Sequence, residues 1–289
     1  MKKFSILTNK SKDPDFTVSH EIERIIREHG GNVQMLGDPF DGIFPGQADG
    51  NRKNMLAEIS WDTECVIVLG GDGTIIEAAR AIGKKELPIV GINLGTLGFL
   101  SVVERSEIET AVKALLDGKF VIENRMLLKI TLCKGSKKSR FMALNDVTVT
   151  RSGLSRIIRT DLFINDEFVT SYLGDGILVA TPTGSTGYSL SAGGPIITPE
   201  AKLMCITPIC PHTLQNRSII IPGTDTVRIV IGEKKKSQET ESYATIDGQA
   251  AIPLDSGDYI VVEKAKNVTK LVRFPERTYF NVLNTKLSN

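Results

Sequence analysis

The chain has 289 residues, of which 41% are hydrophobic and 24% are charged, with 35 basic residues against 34 acidic ones. A chain of this length can form one large or two ordinary domains and bury a full core. The near-zero net charge provides no global field that would favour nucleic acid or a membrane surface, so we expect neither as a partner. Any anionic ligand must then be bound by local groups.

The N-terminus and the cysteines indicate a cytoplasmic protein. The apolar stretch after Met1 is too short for a signal peptide, and no apolar run is long enough to span a bilayer. Cys65, Cys133, Cys205 and Cys210 form no Cys-x-x-Cys pair, which favours buried structural thiols in a reducing compartment over a redox or metal role. With three widely scattered histidines, a zinc site is not expected.

The first third of the chain alternates predicted strands with predicted helices. The predicted strands cover 4–8, 32–36, 65–69 and 88–92, and the predicted helices begin at Asp13-Pro14, near Arg52, at Ile75 and at a Ser106-x-x-Glu109 capping box. Cys65–Leu69 is a continuous apolar run, as expected for a parallel strand covered by helices on both faces. This order predicts an open, doubly wound, Rossmann-like α/β domain that binds ligands where strands end and helices begin.

After Gly118 the pattern changes to β-branched runs with closely spaced turn signals. The predicted strands are 127–132, 141–150, 161–164, 177–180, 204–207, 218–221, 226–231, 243–246 and 259–263. Gly135–Lys138 and Asn165–Glu167 are predicted hairpin turns. We therefore predict an α/β domain over residues 1–118, a β-rich domain over 119–272, and a tail, 273–289, that returns to the first domain.

A glycine-rich loop follows the predicted strand 65–69. Its residues are Gly70, Gly71, Asp72, Gly73 and Thr74. A strand that runs into such a loop and then into a helix places backbone N–H groups at the positive end of that helix, a site for phosphate. The Asp72 carboxylate can accept a proton from a nucleophilic hydroxyl or help to hold a magnesium ion on donor phosphates. The spacing matches neither a P-loop nor a dehydrogenase fingerprint. A tight turn in which Asp72 only caps the helix is the simpler alternative.

A second glycine-rich segment, Thr181–Pro195, carries many hydroxyl side chains. Its glycines let backbone amides approach a flat or anionic ligand, while the hydroxyls offer donors and acceptors. In the same predicted domain, Asn145-Asp146 can read an adenine edge and a sugar hydroxyl, although a turn would use the same residues. Two glycine-rich loops in different domains indicate one ligand cleft.

Taken together, these motifs resemble the bacterial NAD kinase family, in order and spacing, over nearly the whole chain. The segments that carry the resemblance are 70–74, 94–100, 145–146, 175–195, 208–217 and 247–249. The Gly-Gly-Asp-Gly-Thr loop alone is shared with diacylglycerol and sphingosine kinases, whereas Thr-Pro-Thr-Gly-Ser-Thr points to NAD kinases. The resemblance implies a β-sandwich-like C-terminal domain and an NAD site in the cleft between the domains. It also implies transfer of a phosphoryl group from ATP, or from another donor, to the 2′-hydroxyl of the adenosine ribose of NAD.

The resemblance further implies roles for individual residues. Asp72 would be the proton acceptor that faces the 2′-hydroxyl, with Gly73 beside it. Asn145 and Asp146 would contact the adenosine half, and Asp175 the nicotinamide ribose region. The other implied pocket residues are Arg156, Thr183, Thr186, Gly187, Tyr188, Ser189, Leu190, Ser191 and Gln249. Many relatives have glutamate in place of Asp146 and alanine in place of Gly187.

Two other functions remain open at this point. One is a lipid or sugar kinase that shares the first loop, although the hydroxyl-rich 183–191 segment argues against an apolar acceptor channel. The other is a dinucleotide-sensing module without chemistry, which the intact Asp72 disfavours. For the kinase, the expected cofactor is Mg²⁺, the expected phosphoryl donor is ATP, and the resemblance suggests a homodimer or homotetramer assembled through the β-rich domains.

Overall fold

The computed structural model describes residues 1–37, 58–95, 98–152, 157–212, 217–233 and 242–288. These residues divide into two compact units. The first contains the described residues up to Arg125 together with those from Val268 onward, and the second contains those from Met126 to Asn267. The domain limits expected from the sequence, 1–118, 119–272 and 273–289, remain a prediction.

The first unit is built on a parallel sheet with helices on its faces. Its strands run in the order β2-β1-β3-β4-β5 and all pair in parallel. The elements are β1 (Lys3–Thr8), α1 (Thr17–Glu28), β2 (Asn32–Met35), β3 (Cys65–Leu69), α2 (Asp72–Ile82), β4 (Ile89–Asn93), β5 (Ser101–Glu104) and α3 (Ile108–Asp117). Apolar side chains of α1 and α3, among them Ile22 and Leu115, share one core with the sheet. All residues of β3 and β4 are buried, because the sheet is covered on both sides.

The helix α1 begins later than the sequence predicts. We expected Asp13 to cap a helix that starts at Pro14, but α1 begins at Thr17, after Phe16 in a left-handed conformation. The Asp13 carboxylate nevertheless accepts hydrogen bonds from Val18 N at 3.2 Å and Ser19 N at 3.0 Å. The side chain therefore satisfies free N–H groups of the first turn from a position outside the helix.

The capping box before α3 involves other residues than predicted. Ser106 and Glu109 do not form it; Glu104 and Glu107 do, around a 3-10 turn of Arg105–Glu107, and α3 follows at Ile108. The capping-box prediction was wrong because the short turn moves the cap upstream of the helix. Of the helix predicted near 52–59, residues 52–57 lie outside the described residues.

The second unit is a sandwich of antiparallel layers. Its strands are β6 (Val121–Lys134), β7 (Lys137–Ala143), β8 (Asp146–Arg151), β9 (Ile158–Ile164), β10 (Glu167–Gly174), β11 (Gly176–Ala180), β12 (Leu203–Ile209), β13 (Ile219–Pro222), β14 (Val227–Ile231), β15 (Ser242–Ile246), β16 (Ala250–Leu254) and β17 (Tyr259–Arg273), with β6 beginning and β17 ending in the first unit. One layer runs β13-β12-β11-β8-β15-β16, and the other contains β10-β9-β14-β17 and the β6-β7 hairpin. Side chains from both layers form one core, including Leu128, Val149, Val179 and Ile229. The predicted fold class, a doubly wound α/β domain and a β-rich sandwich, is confirmed.

One predicted strand is split in the structure. The run 141–150 breaks at Leu144-Asn145, where the chain leaves β7 and enters β8. β7 pairs with β6 in one layer, while β8 pairs with β11 and β15 in the other. Asn145 therefore lies where the chain crosses between the two layers of the sandwich.

Short helical segments follow β11 and β17. The loop after β11 contains a 3-10 turn, Thr183–Thr186, and a short helix, α4 (Tyr188–Ser191). The tail forms α5 (Tyr279–Leu287), capped by the Thr278 side chain, and it belongs to the first unit. Among the described residues, no helix combines the length and apolar character needed to cross a bilayer.

The four cysteines differ in exposure. Cys65, Cys133 and Cys205 are buried, whereas Cys210 is exposed. Burial raises the pKa of the Cys65 thiol to about 12, so this sulfur stays protonated and unreactive. Three of the thiols fit the expectation of structural cysteines, and the fourth lies on the surface.

Candidate active site

The first glycine-rich loop joins β3 to α2. Gly70 and Gly71 connect Leu69 to Asp72, the first residue of the helix. The first N–H groups of a helix lack partners within it and carry partial positive charge. The loop therefore presents backbone donors at the carboxyl edge of the sheet, where a phosphate group can bind.

The end of β1 adjoins this loop. Asn9 N donates to Leu69 O at 3.1 Å, and Asn9 Nδ2 donates to Thr74 Oγ1 at 3.4 Å. Thr74 is buried and Gly73 is exposed. The hydrogen bond from Asn9 therefore holds Thr74 in place, whereas Gly73 remains accessible to a ligand.

The Asp72 side chain binds a separate segment of the first unit. Its Oδ2 accepts a hydrogen bond from Phe99 N at 2.8 Å. Its Oδ1 accepts bonds from Leu100 N at 3.0 Å and from N and Oγ of Ser101, both at 3.1 Å. A Cβ atom at Gly98 would lie 1.9 Å from Oδ1, so only glycine allows this approach. The simpler alternative, that Asp72 caps its own helix, is wrong: Gly71 holds the N-cap position, and among the described residues the hydrogen bonds of the Asp72 carboxylate go to residues 99–101.

Asn93 is a polar residue that the sequence-based reasoning did not select. It ends β4 and is 4% exposed. Its Oδ1 accepts a hydrogen bond from Gly95 N at 2.7 Å, while its Nδ2 has no partner in the part of the chain that the structure describes. Two residues earlier on the same face, Gly91 lies against Ile75 of α2. Asn93 therefore has a buried donor on the α2 side of the sheet edge. Its position at the end of a predicted buried strand, where α/β domains bind ligands, could have identified it from the sequence.

In the second glycine-rich segment, the buried hydroxyls of Thr181 and Ser185 bind backbone groups of the protein itself. Thr181 Oγ1 donates to Leu144 O at 2.6 Å and accepts from Gly184 N at 3.0 Å. Ser185 Oγ donates to Pro182 O at 2.7 Å. These hydroxyls stabilise the loop, so its hydroxyl content does not translate directly into ligand contacts.

Asn145 lies directly against this loop. A Cβ atom at Gly184 would be 2.2 Å from Asn145 O, and Thr181 N donates to the same oxygen at 2.8 Å. The Asn145 Oδ1 is buried and has no hydrogen-bond partner among the described residues. Its amide lies near Gly187, whose added Cβ would be 3.4 Å from Asn145 Nδ2. The structure therefore brings together Asn145 and Gly187, as a shared site requires.

Asp247 organises the chain around Asn145, a role that the sequence did not reveal. Its Oδ1 accepts hydrogen bonds from Asn145 N at 2.7 Å and Asp146 N at 3.1 Å, and its Oδ2 accepts one from Leu144 N at 2.9 Å. The residue adopts a left-handed conformation with φ 51°, which aspartate tolerates better than most residues. An aspartate before a glycine in a turn was the signal for this geometry.

Asp146 is buried, with 5% exposure, and accepts a hydrogen bond from Thr148 Oγ1 at 3.1 Å. Burial, together with the negative charge of Asp247, raises the pKa of Asp146 from 3.8 to about 7. Near neutral pH this carboxyl can therefore donate or accept a hydrogen bond.

Asp175 and Tyr188 complete this region. Asp175 Oδ1 lies 2.6 Å from Arg151 Nε in a half-exposed ion pair. Burial raises the pKa of Tyr188, and the negative charges of Cys210, Asp175 and Asp146 add to the shift.

The remaining predicted pocket residues differ in exposure. Tyr188 and Leu190 are 46% and 36% exposed. The other exposed residue is Ser191, the half-buried ones are Thr186, Gly187 and Gln249, and the buried ones are Thr183 and Ser189. Ser189 Oγ is without a hydrogen-bond partner within the described ranges. Arg156 lies outside the described residues. Over the same ranges, no group of three or more His, Cys, Asp or Glu side chains could hold a metal ion.

Comparisons with known proteins give a consistent result. The family model described as ATP-NAD kinase N-terminal domain matches residues 6–120, and the model described as ATP-NAD kinase C-terminal domain matches residues 144–274. A protein named NAD kinase from Lachnoclostridium phytofermentans is 43% identical over 293 residues and covers 100% of both chains. Another NAD kinase, from Ruminiclostridium cellulolyticum, is 40% identical and covers 99% of this chain and 98% of its own.

Solved structures are similar over the same length. The crystal structure of yeast NADH kinase complexed with NADH has a TM-score of 0.82 and 28% identity, covering 100% of this chain and 88% of that one. A NAD kinase from Archaeoglobus fulgidus in complex with ATP has a TM-score of 0.78 and 21% identity, with 99% of each chain covered, and it shares the fold.

Proposed function

Because the chain belongs to the NAD kinase family, we propose that its two glycine-rich segments serve one phosphoryl transfer, from ATP to the 2′-hydroxyl of the adenosine ribose of NAD. The enzyme is then a phosphotransferase with an alcohol group as acceptor, and its product is NADP. The main support for this proposal is the position of Asp72: its carboxylate is fixed by hydrogen bonds and lies beside the free amides at the start of α2.

The first segment binds the phosphoryl donor. The amides of Gly71, Gly73 and Thr74 lie at the positive end of α2, where phosphate oxygens are stabilised. The Gly70 amide donates to Ile92 O at 2.9 Å, so Gly70 shapes the turn of this loop and does not offer its N–H group to phosphate. We add Asn93 to this set, because its buried Nδ2 needs an acceptor and the Gly95 amide fixes the orientation of the side chain. A phosphate oxygen of ATP is a suitable acceptor.

Asp72 aligns the acceptor hydroxyl and receives its proton. Three backbone amides and one hydroxyl hold the carboxylate in one orientation, and its Oδ2 accepts one of these bonds, from Phe99 N. The transition state of phosphoryl transfer is loose, so the base need not be strong and positioning dominates the rate. A carboxylate fixed in this way suits that task.

The second segment and its neighbours bind NAD. Asn145 and Asp146 contact the adenosine half, and the buried Asn145 Oδ1 that lacks a described partner supports this role. Asp175 contacts the nicotinamide ribose region. The other residues that line the dinucleotide are Thr183, Thr186, Gly187, Tyr188, Ser189, Leu190, Ser191, Gln249 and Arg156.

The donor phosphates and Asp72 would together hold the divalent metal ion. Mg²⁺ usually binds through substrate phosphates and one or two carboxylates, and ATP brings the phosphates. Asp72 is the carboxylate of this chain that would help to hold the ion, although its oxygens already accept four hydrogen bonds. When bound, the ion would supply neutralisation of the negative charge on the transferred group.

A coupled assay tests the proposed function. The purified protein is incubated with NAD, ATP and Mg²⁺, and the product is read with a dehydrogenase that uses NADP only. Signal that depends on all three components supports a NAD kinase. A lipid or sugar kinase, or a sensing module without chemistry, would produce no signal in this assay.

We propose that the protein is cytoplasmic and forms a homodimer or homotetramer that assembles through the β-rich units. Light scattering of the purified chain measures the subunit number, and a monomeric mass would contradict the expectation.

A further inference from the structure

The segment that holds Asp72 is itself held from its other side by Arg273. The amides of Phe99 and Leu100 donate to Asp72, at 2.8 and 3.0 Å. The carbonyl oxygens of the same two residues accept from Arg273, at 3.0 Å from Nη2 and 3.4 Å from Nη1 respectively. The N–H and C=O groups of both residues are thus occupied, because the amides donate to the proposed base and the carbonyls accept from a guanidinium.

Arg273 is in turn fixed by buried charges. It is the last residue of β17, and its side chain is 11% exposed. Its Nε donates to Glu123 Oε2 at 2.7 Å, and the same oxygen accepts from Arg125 Nη2 at 2.7 Å. Burial acts to raise the pKa of Glu123, but Arg125 and Arg273 outweigh it and hold the pKa below its ordinary value. The carboxylate therefore remains charged and keeps Arg273 in place.

A guanidinium is the group that this geometry requires. It offers donors in a rigid plane, so one side chain can serve Glu123 and two carbonyl groups together. A lysine ammonium is a compact charge on a flexible stem and cannot reach all three acceptors in the same plane. An aromatic contact supports the same segment, with the ring of Phe99 6.1 Å from that of Tyr279 in α5.

We infer that Arg273 is a positioning residue for the kinase reaction: it holds the Phe99-Leu100 peptide groups so that their amides fix the Asp72 carboxylate at the acceptor hydroxyl. The inference rests on the proposed function, because it gives Arg273 a part in the same reaction. Arg273 touches no reacting atom, and its effect passes through the backbone of residues 99–100.

The test compares Arg273→Lys with a matched control, Arg277→Lys. Arg277 lies in the same C-terminal segment, but its guanidinium binds the Glu104 and Glu107 carboxylates. For Arg273→Lys we expect kcat to fall about 10- to 100-fold, as for a base displaced by about an ångström, while the KM for NAD changes less than about twofold. Arg277→Lys should leave both constants within about twofold of the parent enzyme.

Hydrogen exchange provides a readout that a general loss of stability would not reproduce. In Arg273→Lys the amides of residues 99–101 should exchange at least about tenfold faster, while those of β3 keep their protection. Unchanged turnover, unchanged exchange at 99–101, equal acceleration in β3, or a variant that does not fold would each overturn the inference.

A second variant separates this inference from the proposed function. If Asp72→Asn retained normal turnover, the role of Asp72 would be wrong, whatever Arg273 does. If Asp72→Asn lost turnover while Arg273→Lys kept it, the proposed function would stand and the role of Arg273 would fail.

Discussion

In the first glycine-rich segment, Gly70–Thr74, a carboxylate accepts hydrogen bonds from backbone amides, whereas in the second, Thr181–Pro195, hydroxyl groups donate to backbone carbonyls. Neutral donors around a carboxylate fix its orientation, which is what a catalytic group needs. Hydroxyls that bind the backbone instead give a loop a defined shape. The first segment is therefore suited to chemistry and the second to recognition of the dinucleotide.

The largest effect should come from the carboxylate of the first segment. Asp72→Asn keeps one acceptor oxygen but removes the charge, so we expect kcat to fall by about 10²- to 10⁴-fold. The KM for NAD should stay within about threefold, because the substitution removes no contact that binds the ground state and the transition state equally. Steady-state kinetics in the coupled assay measures both constants.

The control for this change is Asp117→Asn, an exposed aspartate of the same unit that pairs with Lys119. It should leave kcat unaltered. Near-normal turnover of Asp72→Asn would contradict the catalytic role of the first glycine-rich segment.

The next effect tests the shape of the second segment. Gly184→Ala places a Cβ atom 2.2 Å from the Asn145 carbonyl oxygen, so the backbone must shift. We expect the KM for NAD to rise at least about tenfold, since displaced polar groups no longer pair with the ligand. Titration of NAD at saturating ATP gives the value.

Gly187→Ala provides a graded comparison for that prediction. Its added Cβ would lie 3.3 Å from Gly184 O, a tight contact that a small movement relieves. The KM for NAD should change less than about threefold. The reverse order of the two alanine variants would show that the fit between Gly184 and Asn145 does not govern NAD binding.

A smaller effect is expected for the donor side. Asn93→Ala removes the buried Nδ2 group, so the KM for ATP should rise about tenfold, the equivalent of one hydrogen bond to a charged group. The KM for NAD should not change. Asn32→Ala, at an exposed position in the same unit, is the control. An increase in the KM for NAD instead of ATP would place Asn93 at the acceptor.

The last prediction concerns the stability of the fold and its dependence on pH, without a direct effect on turnover. The folded state keeps the Asp146 proton up to about pH 7, whereas the unfolded chain loses it near its ordinary pKa of 3.8. The folded state therefore binds more protons in this window, and the free energy of unfolding falls as pH rises through it, by at most about 1.4 kcal/mol per pH unit. Urea unfolding of Asp146→Asn should lack this contribution, so the stability of the variant relative to the parent should rise as pH increases from about 4 to about 7.

Asp166→Asn serves as the control for the pH experiment, because the Asp166 side chain is 91% exposed. Its free energy of unfolding should follow the parent at every pH. If the curves of Asp146→Asn and the parent ran parallel, the carboxyl of Asp146 would have an ordinary pKa in the folded protein.

Much of the architecture could be predicted from local sequence. The continuous apolar run at Cys65–Leu69 is a buried parallel strand, and the Asn165-Asp166 turn has the positive φ angles, 50° and 66°, that a tight hairpin requires. The two glycine-rich segments were recognisable because glycine and hydroxyl residues cluster within a few positions. These signals depend on near neighbours in the chain.

The contacts that shape the candidate site were not predictable in the same way. Asp247 holds the amide of Asn145 from 102 residues further along, and Arg273 reaches the carbonyl of Phe99 across 174 residues. Such contacts depend on the order of the strands in each sheet. The local pattern of apolar and polar residues does not specify that order. The split of the predicted strand 141–150 has the same cause, because β7 and β8 pair with different layers.

Because the four thiols differ in exposure, their rates of chemical modification can report how often each part of the protein opens. Cys210 should react with a labelling reagent at once, whereas Cys65 in β3 and Cys133 and Cys205 in the sandwich should react only when the surrounding strands separate. Mass spectrometry of alkylated peptides, sampled over time, would then give an opening rate for each unit without any engineered label. Whichever buried sulfur is modified first identifies the half of the molecule that opens more readily.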